Sequence, residues 1–274
     1  QSSGQRVFAP MYVKKAERNC TKPEFIGDVF PSIKGKDALK NPRIEKSDKG
    51  RLSVWALPDK SVQIKNRYCV FVDIGGRTEK ADYSVIKVFD RYWMMDGGVP
   101  EVVAVWHGHI DQDLLAWKAA QISYLYNNAL LAVESNSLEK KRTEGDHFLT
   151  ILHEIADYYD NIYAREDHEK IQGEVPRKYG FHTNAATKPM IINALNGALR
   201  DDLYTEKDIR ACHEMDTYEV KPDGSYGAIS GTHDDHVMAT AGGVWLCYDM
   251  ELPAEIQAYE RSTIKGSIQS EATI

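Results

Sequence analysis

Four carboxylates stand where secondary-structure elements end or begin. Asp73 closes the apolar run "YCVFVD", Glu134 closes "ALLAVE", and Asp234 and Asp235 open the segment "DDHVMATA". An aspartate that ends a strand commonly faces a phosphate through a metal ion. That phosphate belongs either to a nucleotide or to a nucleic-acid backbone. Ligands on open α/β sheets gather beyond the carboxyl ends of parallel strands. If the strands ending at Asp73 and Glu134 are parallel neighbours, the two acids meet, and the helix start at Asp234-Asp235 closes the set. Carboxylates so gathered raise one another's pKa. A divalent cation removes the conflict, and all-oxygen ligands favour Mg²⁺ or Mn²⁺ over Zn²⁺. Two such ions roughly 4 Å apart activate a water and stabilise the leaving oxygen of a phosphodiester.

Each acid alone has a plainer reading. Asp73 can begin a Gly-Gly turn, Glu134 can start a helix in "ESNSLEKKR", and Asp234 and Asp235 are good N-cap residues. Their joint placement is what argues for a site. The histidines are weaker signals. His107 and His109 alternate on one strand, and His233 and His236 flank the acid pair. His107 and His109 are spaced like ligands but read as ordinary strand residues, whereas for His233 and His236 a capping or surface role serves at least as well as support of a metal.

The formal charge of −7 argues mildly against tight non-specific nucleic-acid binding, which depends on neutralising phosphates. A carboxylate site recovers affinity through its metal ions. Basic groups do lie near the motifs: Lys65, Arg67, Arg77, Lys80 and the run Lys140-Lys141-Arg142. The four cysteines are scattered without a C-x-x-C pair, which points to reduced thiols rather than zinc or disulfides. No apolar run reaches the length of a membrane span, and no signal peptide opens the chain. No G-x-x-x-x-G-K-[ST] phosphate loop is present, so a nucleotide-driven motor is not expected here.

The elements that must position the acids follow. Residues 1–60, rich in Lys, Pro, Gly and Ser, read as an extended arm or linker. "YCVFVDI", "YSVIKVFDRYW" and "EVVAVWHGHI" read as three strands of an antiparallel meander, with "MMDGGVP" as a turn. A helix follows, with Asp111 able to cap it and Leu115, Ala119, Ile122 and Tyr126 at helical spacing. "ALLAVES" lacks alternation, as a strand buried on both faces does. A second helix carries Phe148, Ile151, Leu152 and Ile155, and "NIYAR" reads as a further strand. "TKPMIINALNGALR" is a third helix with Thr187 as N-cap and Pro189 in its first turn. "TYEVKPDGSYGAI" is a hairpin around Pro222-Asp223-Gly224. The last helix carries Val237, Met238, Ala241, Val244 and Trp245, with Gly242 and Gly243 allowing close packing on the sheet. The expected fold is α/β: a mixed five-stranded sheet, antiparallel over its first three strands and then parallel, flanked by helices. The expected limits are 61–252 for this domain and 253–274 for a polar tail.

The order "VFVDIGG…KADYSVIKVFD", "ALLAVESNS", "GFHTNAATKPMIINALNGAL", "GTHDDHVMATA" resembles the nuclease domain of tailed-phage terminase large subunits. The resemblance runs from about Tyr68 to Met250. Its most specific part is "HDD-x-VMA" preceded by the "TN-x-x-TK" helix. It implies a ribonuclease H-like fold and a metal-dependent endonuclease that cuts concatemeric viral DNA during packaging. It carries the family's acids onto Asp73, Glu134 and Asp234-Asp235, with Asp235 the more direct ligand of the pair. Asp73 is then expected to bridge two Mg²⁺ or Mn²⁺ ions, Glu134 to hold one and Asp235 the other. Asp82 is expected to order the turn after the first strand rather than to bind metal, and His233 to support the site. Lys140, Lys141, Arg142 and Lys188 are expected to meet DNA phosphates. The implied partners are double-stranded DNA, an upstream ATPase motor, the portal protein and the terminase small subunit. The implied place is the cytoplasm of a bacterial host and, transiently, the phage prohead; no membrane is involved.

Three other readings stand beside it. A resolvase-like nuclease would prefer DNA junctions. A portal or capsid docking module would have lost cutting. The opening "DIGG" also resembles the first phosphate motif of actin-like-fold sugar kinases, but Arg77 stands where that motif has threonine, and Glu134 and Asp234-Asp235 are left without a role.

Overall fold

The computed structural model describes residues 5–75, 82–134, 145–166 and 177–256. Strand β1 (Gln5–Arg6), helix α1 (Pro10–Glu17) and strands β2 (Phe25–Phe30), β3 (Arg43–Lys46) and β4 (Leu52–Val54) come first. The short β5 (Ile64–Lys65) leads to β6 (Tyr68–Asp73), β7 (Ser84–Asp90) and β8 (Glu101–Gly108). Helix α2 (Gln112–Leu125), strand β9 (Leu130–Val133) and helix α3 (Gly145–Ala156) follow. A hairpin, β10 (Ala164–Glu166) and β11 (Arg177–Tyr179), precedes α4 (Thr187–Asp201) and α5 (Ile209–Asp216). A second hairpin, β12 (Tyr218–Val220) and β13 (Tyr226–Ala228), precedes α6 (Asp235–Asp249) and β14 (Ala254–Glu255).

The main sheet has the order β3-β2-β4-β8-β7-β6-β9. Strands β6, β7 and β8 form the antiparallel meander, and β9 lies parallel to β6. Every residue of β6 and β7 is buried, because helices cover both faces. Alternation along β6 divides the core in two. Val70 and Val72 face the side of Trp117, Ile122, Leu152 and Ile155. Cys69 and Phe71 face the side of Ile191, Leu195, Val237 and Ala241. The result is a helix–sheet–helix sandwich. Gly242 and Gly243 let α6 lie close on the sheet: a Cβ on the first would stand 2.2 Å from the Phe71 ring, and on the second 2.1 Å from the Phe89 ring.

The reading of residues 1–60 as an extended arm is corrected by this sheet. Strands β2, β3 and β4 continue it beyond β8, giving seven strands rather than five. Val29, Leu52 and Val54 are fully buried, and Asp28 holds Lys118 of α2 at 2.8 Å. The apolar residues that do this are few and are separated by turn-forming residues, so no periodic pattern announced them. Helix α1 adds Val13, and the segment just before it Phe8, to the core on the side of α4 and α5.

Smaller differences concern single elements. "NIYAR" is no full strand: Ile162 makes one parallel bridge to Leu131, and the chain then turns into β10. That bridge, with a second between Glu134 and Phe181, covers the outer edge of β9. Thr187 is the first helical residue of α4 rather than its cap; Asn184 Oδ1 accepts the N–H groups of Ala186 and Thr187 instead. Beyond Pro253, β14 pairs with β5, and residues 257–274 lie outside the described ones, as does the side chain of Phe148. Among the described residues no helix is long and apolar enough to cross a membrane.

Candidate metal centre

The parallel register of β6 and β9 decides the site. Val72 pairs with Val133, and the Glu134 N–H donates to the Val72 carbonyl at 2.9 Å. The next residues, Asp73 and Glu134, therefore leave the sheet side by side. Asp73 is 7% exposed. Burial pushes its carboxyl well above the carboxylate range, and the charge and hydrogen bond of Glu134, then the charges of Asp235 and Asp234, push the same way. The four sequence-predicted acids thus share one electrostatic field.

Helix α6 brings the second half of the site. Asp234 occupies its N-cap position and Asp235 its first turn. Neither carboxylate satisfies the exposed helix N–H groups. Glu214, near the end of α5, does so: its Oε2 accepts from His236 N at 2.7 Å and Val237 N at 3.1 Å. Burial raises the Glu214 carboxyl to about 8, Asp235 adds to the rise, and the two N–H donors oppose it. Sequence reasoning missed Glu214, because a cap supplied by another helix leaves no local signature. With capping done from outside, Asp235 is free to face the acids.

Asp235 is 4% exposed, and its Oδ2 accepts the Tyr83 N–H at 3.1 Å. Its carboxyl stands at about 7; burial is the main cause, Asp82 and Asp234 raise it further, and the Tyr83 N–H and His233 lower it. Tyr83 reaches Asp235 because Gly75 allows two backbone segments to touch. A Cβ at Gly75 would lie 2.2 Å from the Asp82 carbonyl, and the Gly75 N–H donates to Ser84 Oγ at 3.0 Å.

The histidines sort into two groups. His107 and His109 stack on either face of Tyr83, with centroids 4.2 and 4.1 Å away, and His236 stacks on His107 at 4.9 Å. Burial lowers His107 to about 4 and lowers His236 well below the ordinary histidine value, so both rings are neutral packing pieces behind the site. His233 stands at the front. Its Nδ1 lies 3.6 Å from Asp82 and 3.7 Å from Asp235. Among the described residues, Asp82, His233 and Asp235 bring one ligand atom each within 4.8 Å of one another.

This donor set fits a hard divalent cation. Buried carboxylates that suppress one another's ionisation are stabilised by bound positive charge, and oxygens outnumber the single imidazole.

The basic groups divide too. Lys188 Nζ lies 3.8 Å from Asp234 Oδ2. Arg67 is not a surface cation: it is buried and bonded to Asp90 and Asp59. Lys140, Lys141 and Arg142 lie outside the described residues, as do Arg77 and Lys80. Beside Glu134 opens a cavity of about 800 Å³, walled by the 182–189 segment and the β12–β13 hairpin.

No protein-family model matches the sequence, and no curated protein matches it either. Solved structures do. The large terminase nuclease from thermophilic phage G20c, with bound magnesium, superposes with a TM-score of 0.54 at 14% identity over 89% of this chain and 98% of that one. Its cobalt-bound form gives 0.55 at 13% identity over the same shares. At that identity the likeness speaks to architecture, and the chain has the ribonuclease H-like fold of a terminase large-subunit nuclease domain.

Proposed function

We propose that the chain is a metal-dependent DNA endonuclease domain of a phage or prophage packaging terminase, cutting concatemeric viral DNA. The observation that carries this reading is the register that sets Asp73 beside Glu134, with Asp235 buried in the same field. Asp73, Glu134 and Asp235 would hold two Mg²⁺ or Mn²⁺ ions, with Asp234 beside them. When bound, a pair of such ions supplies a nucleophilic water and charge stabilisation for the attacked phosphodiester.

The chain's own residues do the rest. Asp73 and Glu134 leave adjacent strand ends and present their carboxylates on a rigid sheet. The Tyr83 N–H orients Asp235, and the ring stack behind Tyr83 excludes water from that side. Glu214 fixes the helix start that carries Asp234 and Asp235. Lys188 and the basic run Lys140–Arg142 meet backbone phosphates, which gives affinity without sequence choice. An upstream ATPase motor, the portal protein and the terminase small subunit are the proposed partners, in the cytoplasm of the infected cell. The sugar-kinase reading leaves Glu134, Asp234 and Asp235 without work, although Asp235 is 4% exposed and burial makes its charge costly.

The test is incubation with supercoiled plasmid and Mg²⁺ or Mn²⁺, beside Asp73→Ala and a chelator control. Metal-dependent nicking that disappears in the variant is the expected result. Absence of cleavage with every metal, together with no metal-induced thermal shift, overturns the reading in favour of a docking module. A preference for four-way junctions over linear duplex would make it a resolvase-like enzyme instead.

A further inference from the structure

We propose that the cavity beside Glu134 is a subsite for one strand of nucleic acid, seating a backbone phosphate on Lys188 and Thr183 and an unpaired base on Tyr226. The inference rests on the nuclease reading for its position in the reaction, though not for its binding chemistry. The cavity measures about 800 Å³. That lies within the range of about 300–1,000 Å³ seen for clefts that enclose small ligands, and a duplex does not enter such a space.

Its lining combines polar and apolar residues. Thr183 is 2% exposed, yet its hydroxyl has no hydrogen-bond partner among the described residues. A buried hydroxyl left unpaired is unfavourable unless a ligand completes it. Its neighbour Asn184 is already engaged, accepting two N–H groups at the start of α4. Lys188 sits in the first turn of that helix, where the backbone dipole favours an anion. Among the described residues its ion-pair partner is Asp234, 3.8 Å away and beyond hydrogen-bond distance, so the ammonium keeps donors for a phosphate. Tyr226, from the β12–β13 hairpin, and Pro189, from α4, line the same cavity. An aromatic ring in the wall of such a cavity offers a sequence-tolerant seat for a base. Glu134 lines the same cavity, so a strand held here leads directly to the acids.

The experiment measures binding of a fluorescent single-stranded deoxyoligonucleotide and of a blunt duplex, across a range of NaCl, with Asp73→Asn as the silent background in Mg²⁺. Lys188→Gln is expected to reduce the slope of log Kobs against log salt by about 0.7 for the single strand. Tyr226→Ala is expected to weaken single-strand binding about tenfold with the slope unchanged, consistent with losing one base stack. Thr183→Val should weaken it several-fold. Tyr226→Phe and Lys188→Arg should restore most of the loss, and their melting temperatures should match the background protein. Unchanged single-strand affinity and slope in Lys188→Gln and Tyr226→Ala overturn the proposal, as does a loss confined to the duplex. Plasmid cleavage by the native chain separates the two readings. If nothing is cut but the binding losses appear, the nuclease reading fails and the subsite stands. If the plasmid is cut and the variants keep native KM and binding, the subsite alone fails.

Discussion

Asp235→Asn should reverse the sign of its effect on stability with pH. Asp235 stands at about 7 against an ordinary 3.8. A carboxyl raised in the fold contributes stability that is complete below its unfolded value and lost as pH rises through its folded value. The window here runs from about pH 4 to about pH 7. A shift of roughly three units corresponds to about 4 kcal/mol between the two ends. The asparagine removes the charge and keeps an acceptor for the Tyr83 N–H, but it buries an amide nitrogen whose lost hydration costs about 1–2 kcal/mol. Without metal, the variant should be about 1 kcal/mol less stable than the native chain at pH 4 and about 2–3 kcal/mol more stable at pH 8.5. For a domain of this size the latter raises Tm by about 4–12 °C. The assay is denaturant unfolding in chelator at both pH values, repeated with Mg²⁺. Magnesium should stabilise the native chain and leave the variant nearly unmoved. A variant that is less stable than the native chain at pH 8.5 without metal would refute the idea that burial, aided by the neighbouring acids, makes the Asp235 charge costly in the fold.

Three further outcomes follow from packing and pairing. Lys87 and Glu206 are both fully buried, 2.9 Å apart, with Thr240 Oγ1 at 2.6 Å from the ammonium. Lys87→Met should cost about 3–5 kcal/mol by stranding the glutamate, and adding Glu206→Leu should recover most of it, as read by denaturant titration. Gly242→Ala drives a methyl into the Phe71 ring and should cost about 1–3 kcal/mol; an unchanged midpoint would mean that α6 does not sit as described. Glu214→Ala removes the acceptor for two helix N–H groups and should cost about 1–2 kcal/mol while weakening the Mg²⁺-induced thermal shift, whereas Glu214→Gln should restore part of both.

The sequence shows the site's frame more clearly than its support. Asp73 and Glu134 were legible because each ends an unbroken apolar run, and parallel pairing of those runs leaves no other place for them. Asp234 and Asp235 were legible because they precede a helical stripe. Gly242 and Gly243 were expected to permit close packing, and they do. Lys87 misleads: it reads as the polar position of a half-alternating strand, but α6 covers that face with Thr240 and the segment between α4 and α5 supplies Glu206. Glu214 and Tyr83 stayed hidden because their contacts to α6 cross 22 and 152 residues of chain. The N-terminal strands stayed hidden for a related reason. They are short, and they borrow their order from an edge already formed.

Those borrowed strands also govern how the molecule meets its own copies. Strand β3 is the outermost of the sheet, short and charged, with Arg43 and Glu45 paired on it. Such edges resist joining another sheet. Behind it, β4 covers β8 between Ala104 and Trp106, and the Trp55 and Ala56 N–H groups reach the Val103 carbonyl. A fragment started at residue 61 would strip this cover. It would bare a long row of unpaired backbone groups flanked by Val102, Val103, Ala104, Val105 and Trp106, all now buried. Such a fragment should precipitate or assemble into fibrous aggregates while still carrying every acid of the site. Strands β2, β3 and β4 are therefore a solubility guard: they lie at the far end of the sheet from Asp73 and Glu134, and they keep that sheet from growing.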